Sequence, residues 1–186
     1  VFQTYVLTTY RGQCSSKDTT SVAVYWPPKL YLNLHDTSVC VNQKITFKAY
    51  SRDGTGFPRI KWIPGLNLND STGFTITAKA LKNIVYKATI TDMKKCTATD
   101  SIKIKVKPYP KSAFGFLSTC ERDSIQVKDS STVIGDSITY TRWTAPNLDT
   151  LNVHALAFKL SHPSTIPLQL VVKTNFGCAD TSKKTV

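Results

Sequence analysis

Five cysteines, Cys14, Cys40, Cys96, Cys120 and Cys178, are the residues of this sequence best suited to chemistry. Thiols support metal ligation, nucleophilic catalysis and disulfide formation. Zinc sites use close pairs such as C-x-x-C, whereas the intervals here are 26, 56, 24 and 58 residues. A catalytic thiol needs a nearby base, yet His35, His154 and His162 hold no constant place relative to the cysteines. Glycoside cleavage would need two acids facing a cleft; Glu121 is the sole glutamate, and the eleven aspartates fall mostly in turn-like stretches. No G-x-S-x-G, H-E-x-x-H, glycine-rich phosphate loop or calcium loop is present. The expectation is a chain with no catalytic residues, no cofactor and no metal, whose cysteines are left for disulfides.

Those cysteines recur with a period. "GQCSSKDTTSVAVYWPP" (12–28) and "KKCTATDSIKIKVKPYP" (94–110) share a layout in which Cys14, Asp18, Val22, Val24 and Pro28 precede Cys96, Asp100, Ile104, Val106 and Pro110 by 82 residues. Cys178 follows Cys96 by 82 again. That period is too long for a solenoid unit and suits a small domain. The chain divides into the C-terminal part of one repeat (1–28), a complete repeat (29–110) and a second repeat (111–186). With no initiator methionine and only half a repeat at its start, it is expected to be a piece of a longer protein. No apolar run approaches the roughly 18 residues that span a bilayer, so no membrane insertion is expected.

Apolar residues alternate in short runs bounded by Gly, Pro, Asn and Asp, a strand pattern. Strands are predicted near 30–35, 44–50, 58–63, 73–79, 84–91 and 99–107, then near 112–117, 124–128, 138–144, 153–159, 167–173 and 181–186. Asp18 and Asp100 are expected to start the last strand of their repeats. Six or seven strands in about 80 residues point to an all-β, immunoglobulin-like two-sheet sandwich. Trp62 and Trp143, each after a basic residue and ahead of Pro64 or Pro146, are predicted core residues. Trp26, in "YWPP" at a junction, is expected to pack between neighbours.

The net charge of +12 is uneven. The middle repeat has 14 basic and 5 acidic residues (+9), the last 8 and 6 (+2), and the first stretch 2 and 1 (+1). Lys103, Lys105 and Lys107 alternate with Ile102, Ile104 and Val106, which puts the lysines on one strand face. Such a face deters edge-to-edge pairing; alternatively it grips an anionic cell-surface polysaccharide. Nucleic-acid binding is not expected, because most aromatics take core-like positions instead of interleaving with the basic residues.

The stretch "SVCVNQKITFKAY... IKWIPGLNLND... YKATITDMKKCTATDSIKIKVKPYP" resembles the PKD-like or immunoglobulin-like tandem repeats of very large surface proteins of Bacteroidota, gliding-motility adhesins among them. The shared pieces are Cys40, Trp62 and Pro64, Tyr86, Thr91, Asp92, Cys96, and Thr97 to Ser101. The last repeat departs from them at Leu168, "TNFGC" and Asp180, and neither repeat has the W-D-F-G-D-G motif of standard PKD domains. The resemblance implies tandem sandwiches arranged head to tail, type IX secretion and an extracellular, structural or adhesive role. Its partners would be neighbouring repeats of the same chain and, in a fibre, identical chains; an accessory role beside an enzyme is a further alternative.

Two disulfide patterns remain open. One closes each repeat, Cys40 with Cys96 and Cys120 with Cys178. Sandwich geometry disfavours it, because the start of the second strand and the last hairpin lie roughly 20 Å apart for six strand residues, against the ~7 Å a disulfide tolerates. The other joins repeats, Cys40 with Cys178, and leaves Cys14, Cys96 and Cys120 to partners beyond this sequence. Free thiols are the third alternative. Joined repeats with proline-stiffened junctions would make a rod.

Overall fold

The structure, a computed structural model, describes residues 2–117, 124–146, 148–159 and 165–186. Among the described residues, every regular element is a strand. In chain order these are β1 (Phe2–Arg11), β2 (Cys14–Ala23), β3 (Lys29–Leu32), β4 (Thr37–Cys40), β5 (Lys44–Arg52), β6 (Arg59–Ile63), β7 (Thr75–Lys79) and β8 (Ile84–Thr91). They continue with β9 (Thr97–Lys107), β10 (Phe114–Leu117), β11 (Ser124–Asp129), β12 (Ile138–Ala145), β13 (Leu148–Leu151), β14 (Ala155–Lys159), β15 (Pro167–Thr174) and β16 (Ala179–Thr185). Their sequences explain them: β8, IVYKATIT, is dense in β-branched and aromatic residues and buries Tyr86, Ala88 and Ile90 at every second position.

β1 and β2 pair only with each other; the remaining strands form sheets ordered β3-β5-β7, β4-β9-β8-β6, β10-β11-β14 and β13-β12-β15-β16. Packing gathers the chain into two compact units. One comprises Val1–Thr37, Lys44–Lys79 and Ile84–Lys103; the other comprises Ser38–Gln43, Ala80–Asn83 and Ile104–Val186.

In the first unit, Phe47 of the three-stranded sheet lies 6.0 Å from Trp62 and 5.9 Å from Tyr86, both on the four-stranded sheet, between ring centroids. The core therefore sits between two sheets, with Ile60, Ile76, Ile90 and Ile102 completing it. In the second unit, Phe114 of β10 meets Trp143 of β12 edge-on at 5.1 Å, and Val127, Leu168, Leu170 and Val172 fill the space around them. Each indole N–H finds a main-chain carbonyl, Trp62 that of Gly73 at 3.0 Å and Trp143 that of Val153 at 2.9 Å. Burying an indole without such a partner would leave a costly unpaired donor.

Several sequence expectations are corrected. β4 and β13 fall outside the predicted strands; at four residues each they are too short for a period to show. The strand expected over 30–35 stops at Leu32, because the chain then leaves the β3-β5-β7 sheet for the other one. Polar side chains bridge the gap: the Lys48 N–H donates to Asn33 Oδ1 (2.6 Å), and the Lys103 N–H donates to Asp36 Oδ1 (3.0 Å). Asp18 and Asp100 lie inside β2 and β9 instead of opening them. Their carboxylates accept the N–H of the following residue, Thr19 at 2.8 Å and Ser101 at 2.7 Å, so they cap locally without ending the ladder.

Candidate functional site: the cysteine hairpins

Cys40 ends β4 in a tight turn. Its carbonyl accepts the Gln43 N–H at 3.2 Å, and its own N–H donates to Gln43 Oε1 at 3.1 Å. Asn42, at φ 66°, supplies the left-handed residue such a turn needs. The Val41 N–H donates to Lys107 O (2.9 Å) and the Asn42 N–H to Ala80 O (2.7 Å), which fixes this turn against residues of the same compact unit. The cysteine is thus held on a rigid support and is buried.

Cys178 closes the β15–β16 hairpin. The Thr174 N–H donates to its carbonyl at 2.9 Å, the Thr174 hydroxyl accepts its N–H at 3.2 Å, and Gly177 at φ 96° makes the reversal. The β8–β9 hairpin is built alike around Cys96. There the Asp92 N–H donates to Cys96 O at 3.0 Å, and Lys95 at φ 65° stands where Gly177 stands. Asp92, 5 % exposed, takes the place of Thr174; its carboxylate accepts the N–H groups of Thr55 (3.0 Å), Lys94 (2.9 Å) and Cys96 (2.8 Å). The T-D-x-x-x-C spacing marked Asp92, but only the folded loop reveals what its carboxylate does.

Cys40 and Cys178 form a disulfide, with Cα atoms 5.8 Å apart across 138 residues of sequence. Both belong to the second compact unit. The bond rules out both intra-repeat pairs, Cys40 with Cys96 and Cys120 with Cys178, since each would need a sulfur already used. Cys96 is a half-buried thiol and Cys14 an exposed one; Cys120 lies outside the described residues. Cys14 differs from its counterparts in standing directly after a two-residue turn, opposite Arg11. Disulfides form and persist chiefly in oxidising environments.

The remaining predicted residues are placed as follows. Trp62 and Trp143 are fully buried. Lys103 and Lys105 are exposed and Lys107 half-buried on β9. His35 is exposed and His154 stands 3.6 Å from Asp129 Oδ2; His162 lies outside the described residues. Trp26 is 73 % exposed, contrary to the expected packing. Its neighbours pack instead: the Lys94 ammonium sits 4.9 Å from the Tyr25 ring centroid, and Pro28 is buried against Gly54, where a Cβ would come within 3.0 Å of the proline. Among the described residues, no group of three or more His, Cys, Asp or Glu could hold a metal, and no helix is long and apolar enough to cross a membrane.

Solved structures place these sandwiches among known folds. The chain is similar to the N-terminal eight Ig domains of Down Syndrome Cell Adhesion Molecule, with a TM-score of 0.65 at 10% identity, over 100% of this chain and 31% of that one. It is also similar to the titin I-band fragment I67-I69, with a TM-score of 0.52 at 15% identity, over 87% of this chain and 65% of that one. The fold is immunoglobulin-like. This Ig-like chain thus spans under a third of the first protein's length and just under two thirds of the second's. A match to the PKD1 domain of the Vibrio cholerae metalloprotease PrtV has a TM-score of 0.37 at 19% identity, over 42% of this chain and 94% of that one. No protein-family model and no curated protein sequence matches. At these identities the likeness speaks of fold alone.

Proposed function

We propose that the chain is a structural and adhesive segment of a large extracellular protein, built of tandem Ig-like repeats of about 82 residues and joined by disulfides. Its domains in this reading are the last hairpin of a preceding repeat (1–28), a complete repeat (29–110) and a second repeat (111–186). The observation that carries it is the Cys40–Cys178 bond, because it ties the pre-strand cysteine of one sequence repeat to the hairpin cysteine of the next. Cys96 occupies the same loop as Cys178 and is the natural partner for a Cys40-type cysteine of the preceding repeat. The β1–β2 hairpin supports the same reading, since apolar Val6 stands exposed where Ala88 and Leu170 are buried at the equivalent positions, and Val22 stands exposed where Ile104 is buried. Repeats of this kind suit the stalk or fibre of a surface appendage, with gliding-type adhesins exported by the type IX system as the setting the sequence resemblance suggests. Neighbouring repeats are the first partners in such an assembly, and identical chains side by side are the second.

Mechanical stretching tests this role. With the disulfide intact, pulling on the two ends should leave the segment between its cysteines, a separation of 138 positions, unextended, whereas reduction should release roughly 480 Å of contour at about 3.5 Å per residue. Equal extension before and after reduction would sink the tension-carrying role.

A further inference from the structure

We propose that the outer face of the β3-β5-β7 sheet is a docking surface for an anionic polysaccharide, separate from the Lys103, Lys105 and Lys107 face read from the sequence. The proposal does not depend on the tandem-array reading. Its starting point is register. Tyr31 on β3 lies opposite Tyr50 on β5, so two tyrosines stand side by side on the outer face. They are 47 % and 53 % exposed, and with Ser51 and Arg52 they line an open cleft of about 430 Å³. Such a pair offers flat apolar area with a hydroxyl at its rim, which suits the C–H face of a sugar ring.

Cations surround that pair. Lys44 lies opposite Lys79, and Lys29 lies opposite Arg52. Like charges directly across a ladder destabilise it. Lys29 obtains relief from Asp53, 3.0 Å away, but the strands themselves contain no acid. Edge protection explains Lys29 and Lys79, because β3 and β7 are the edges of this sheet. It does not explain Lys44, Lys48 and Arg52, which stand on the central strand, nor the tyrosine pair between the two like-charge pairs. An anionic ligand accounts for all of them: its acid groups compensate the facing cations while its rings cover the tyrosines. Among the described residues, the corresponding face of the last repeat, β10-β11-β14, carries Gly115, Leu117, Gln126, Ala155 and Ala157, with only Lys128 and Lys159 as cations. Among the described residues, the second face therefore lacks both the tyrosine pair and the facing cations of the first. A polysaccharide is favoured over a simple polyanion because the face joins aromatic area to charge, and a polymer with one carboxylate on each ring matches that alternation.

The test is titration of the whole chain with polygalacturonate, and with inorganic polyphosphate as a polymer that has charge but no rings. Two charge-matched variants discriminate the faces: Lys44→Gln/Lys48→Gln/Arg52→Gln, and Lys103→Gln/Lys105→Gln/Lys107→Gln. The first should weaken polygalacturonate binding about tenfold or more and flatten its salt dependence, while the second should stay within about twofold. Tyr31→Ala/Tyr50→Ala should abolish the preference for polygalacturonate over polyphosphate, and since both rings are exposed the single Tyr50→Ser serves if the double variant folds poorly. Equal losses in the two lysine variants, a preference that survives without the tyrosines, or no polygalacturonate binding by the unaltered chain would each overturn the proposal.

Discussion

The two sequence repeats, 29–110 and 111–186, each bury a tryptophan against a phenylalanine and differ most in outward charge and in the bonding of their hairpin cysteines. Trp62 and Trp143 are buried alike and each donates to a main-chain carbonyl. The loops that hold Cys96 and Cys178 close with the same main-chain bond, at 3.0 and 2.9 Å. Yet the middle repeat carries +9 and the last +2, and only Cys178 of the two hairpin cysteines is bonded. Inward positions must satisfy close packing and pair every buried polar group, which leaves few solutions. Outward positions are free of both demands and can be shaped by partners.

If the interiors are equivalent, Trp62→Ala and Trp143→Ala should cost about the same, roughly 3–5 kcal/mol each, with the Gly73 carbonyl losing its indole donor and the Val153 carbonyl keeping the Thr141 hydroxyl. Urea unfolding checks this, and a clear inequality would break the equivalence. The next largest effect should separate the hairpins. Cys178→Ser removes the cross-link and should cost about 2–5 kcal/mol, whereas Cys96→Ser, which breaks no bond within this chain, should stay near 0.5 kcal/mol. Calorimetry under non-reducing conditions compares the two.

The loops give a smaller, sharper contrast. Asp92→Ala strips the acceptor from three partly buried N–H bonds and should cost about 1–3 kcal/mol, while Thr174→Ala removes one and should cost about 0.5–1.5 kcal/mol. Amide hydrogen exchange at Lys94 and Cys96 should quicken in the first variant, and at Cys178 in the second. The smallest effect belongs to a surface pair of the last repeat. Asp149 accepts hydrogen bonds from Arg142 Nε (2.9 Å) and its terminal nitrogen (2.5 Å). That bonding and the adjacent charge hold its carboxyl below the ordinary value. A lowered folded-state value means the contribution is present above the ordinary carboxylate range and fades as pH falls through the lowered one. Asp149→Asn should therefore remove a slight stability difference seen at neutral pH and vanishing in acid; an unchanged difference at low pH would contradict the pairing.

The interior was legible in the sequence because two-residue alternation survives in strands such as β8 and β9, and each tryptophan follows a basic residue and precedes a proline by two or three positions. β4 and β13 were not, since four residues show no period. "YWPP" pointed to a stretch that packs but not to which side chains pack; Tyr25 and Pro28 do, and Trp26 stays exposed. The charged face was legible only where the lysines share a strand. Lys44 and Lys79 face each other through cross-strand register alone, which no local pattern encodes. The disulfide partners are 138 residues apart, and no spacing rule would have chosen Cys40 for Cys178 without a sandwich to place their loops.

The central claim is that the pre-strand cysteine of one repeat is bonded to the hairpin cysteine of the next. Proteolysis of the chain under alkylating, non-reducing conditions, followed by mass spectrometry of linked peptides, tests it most directly. A peptide joining Cys40 to Cys178, with Cys96 recovered alkylated, is the predicted result; a peptide joining Cys40 to Cys96 would contradict it.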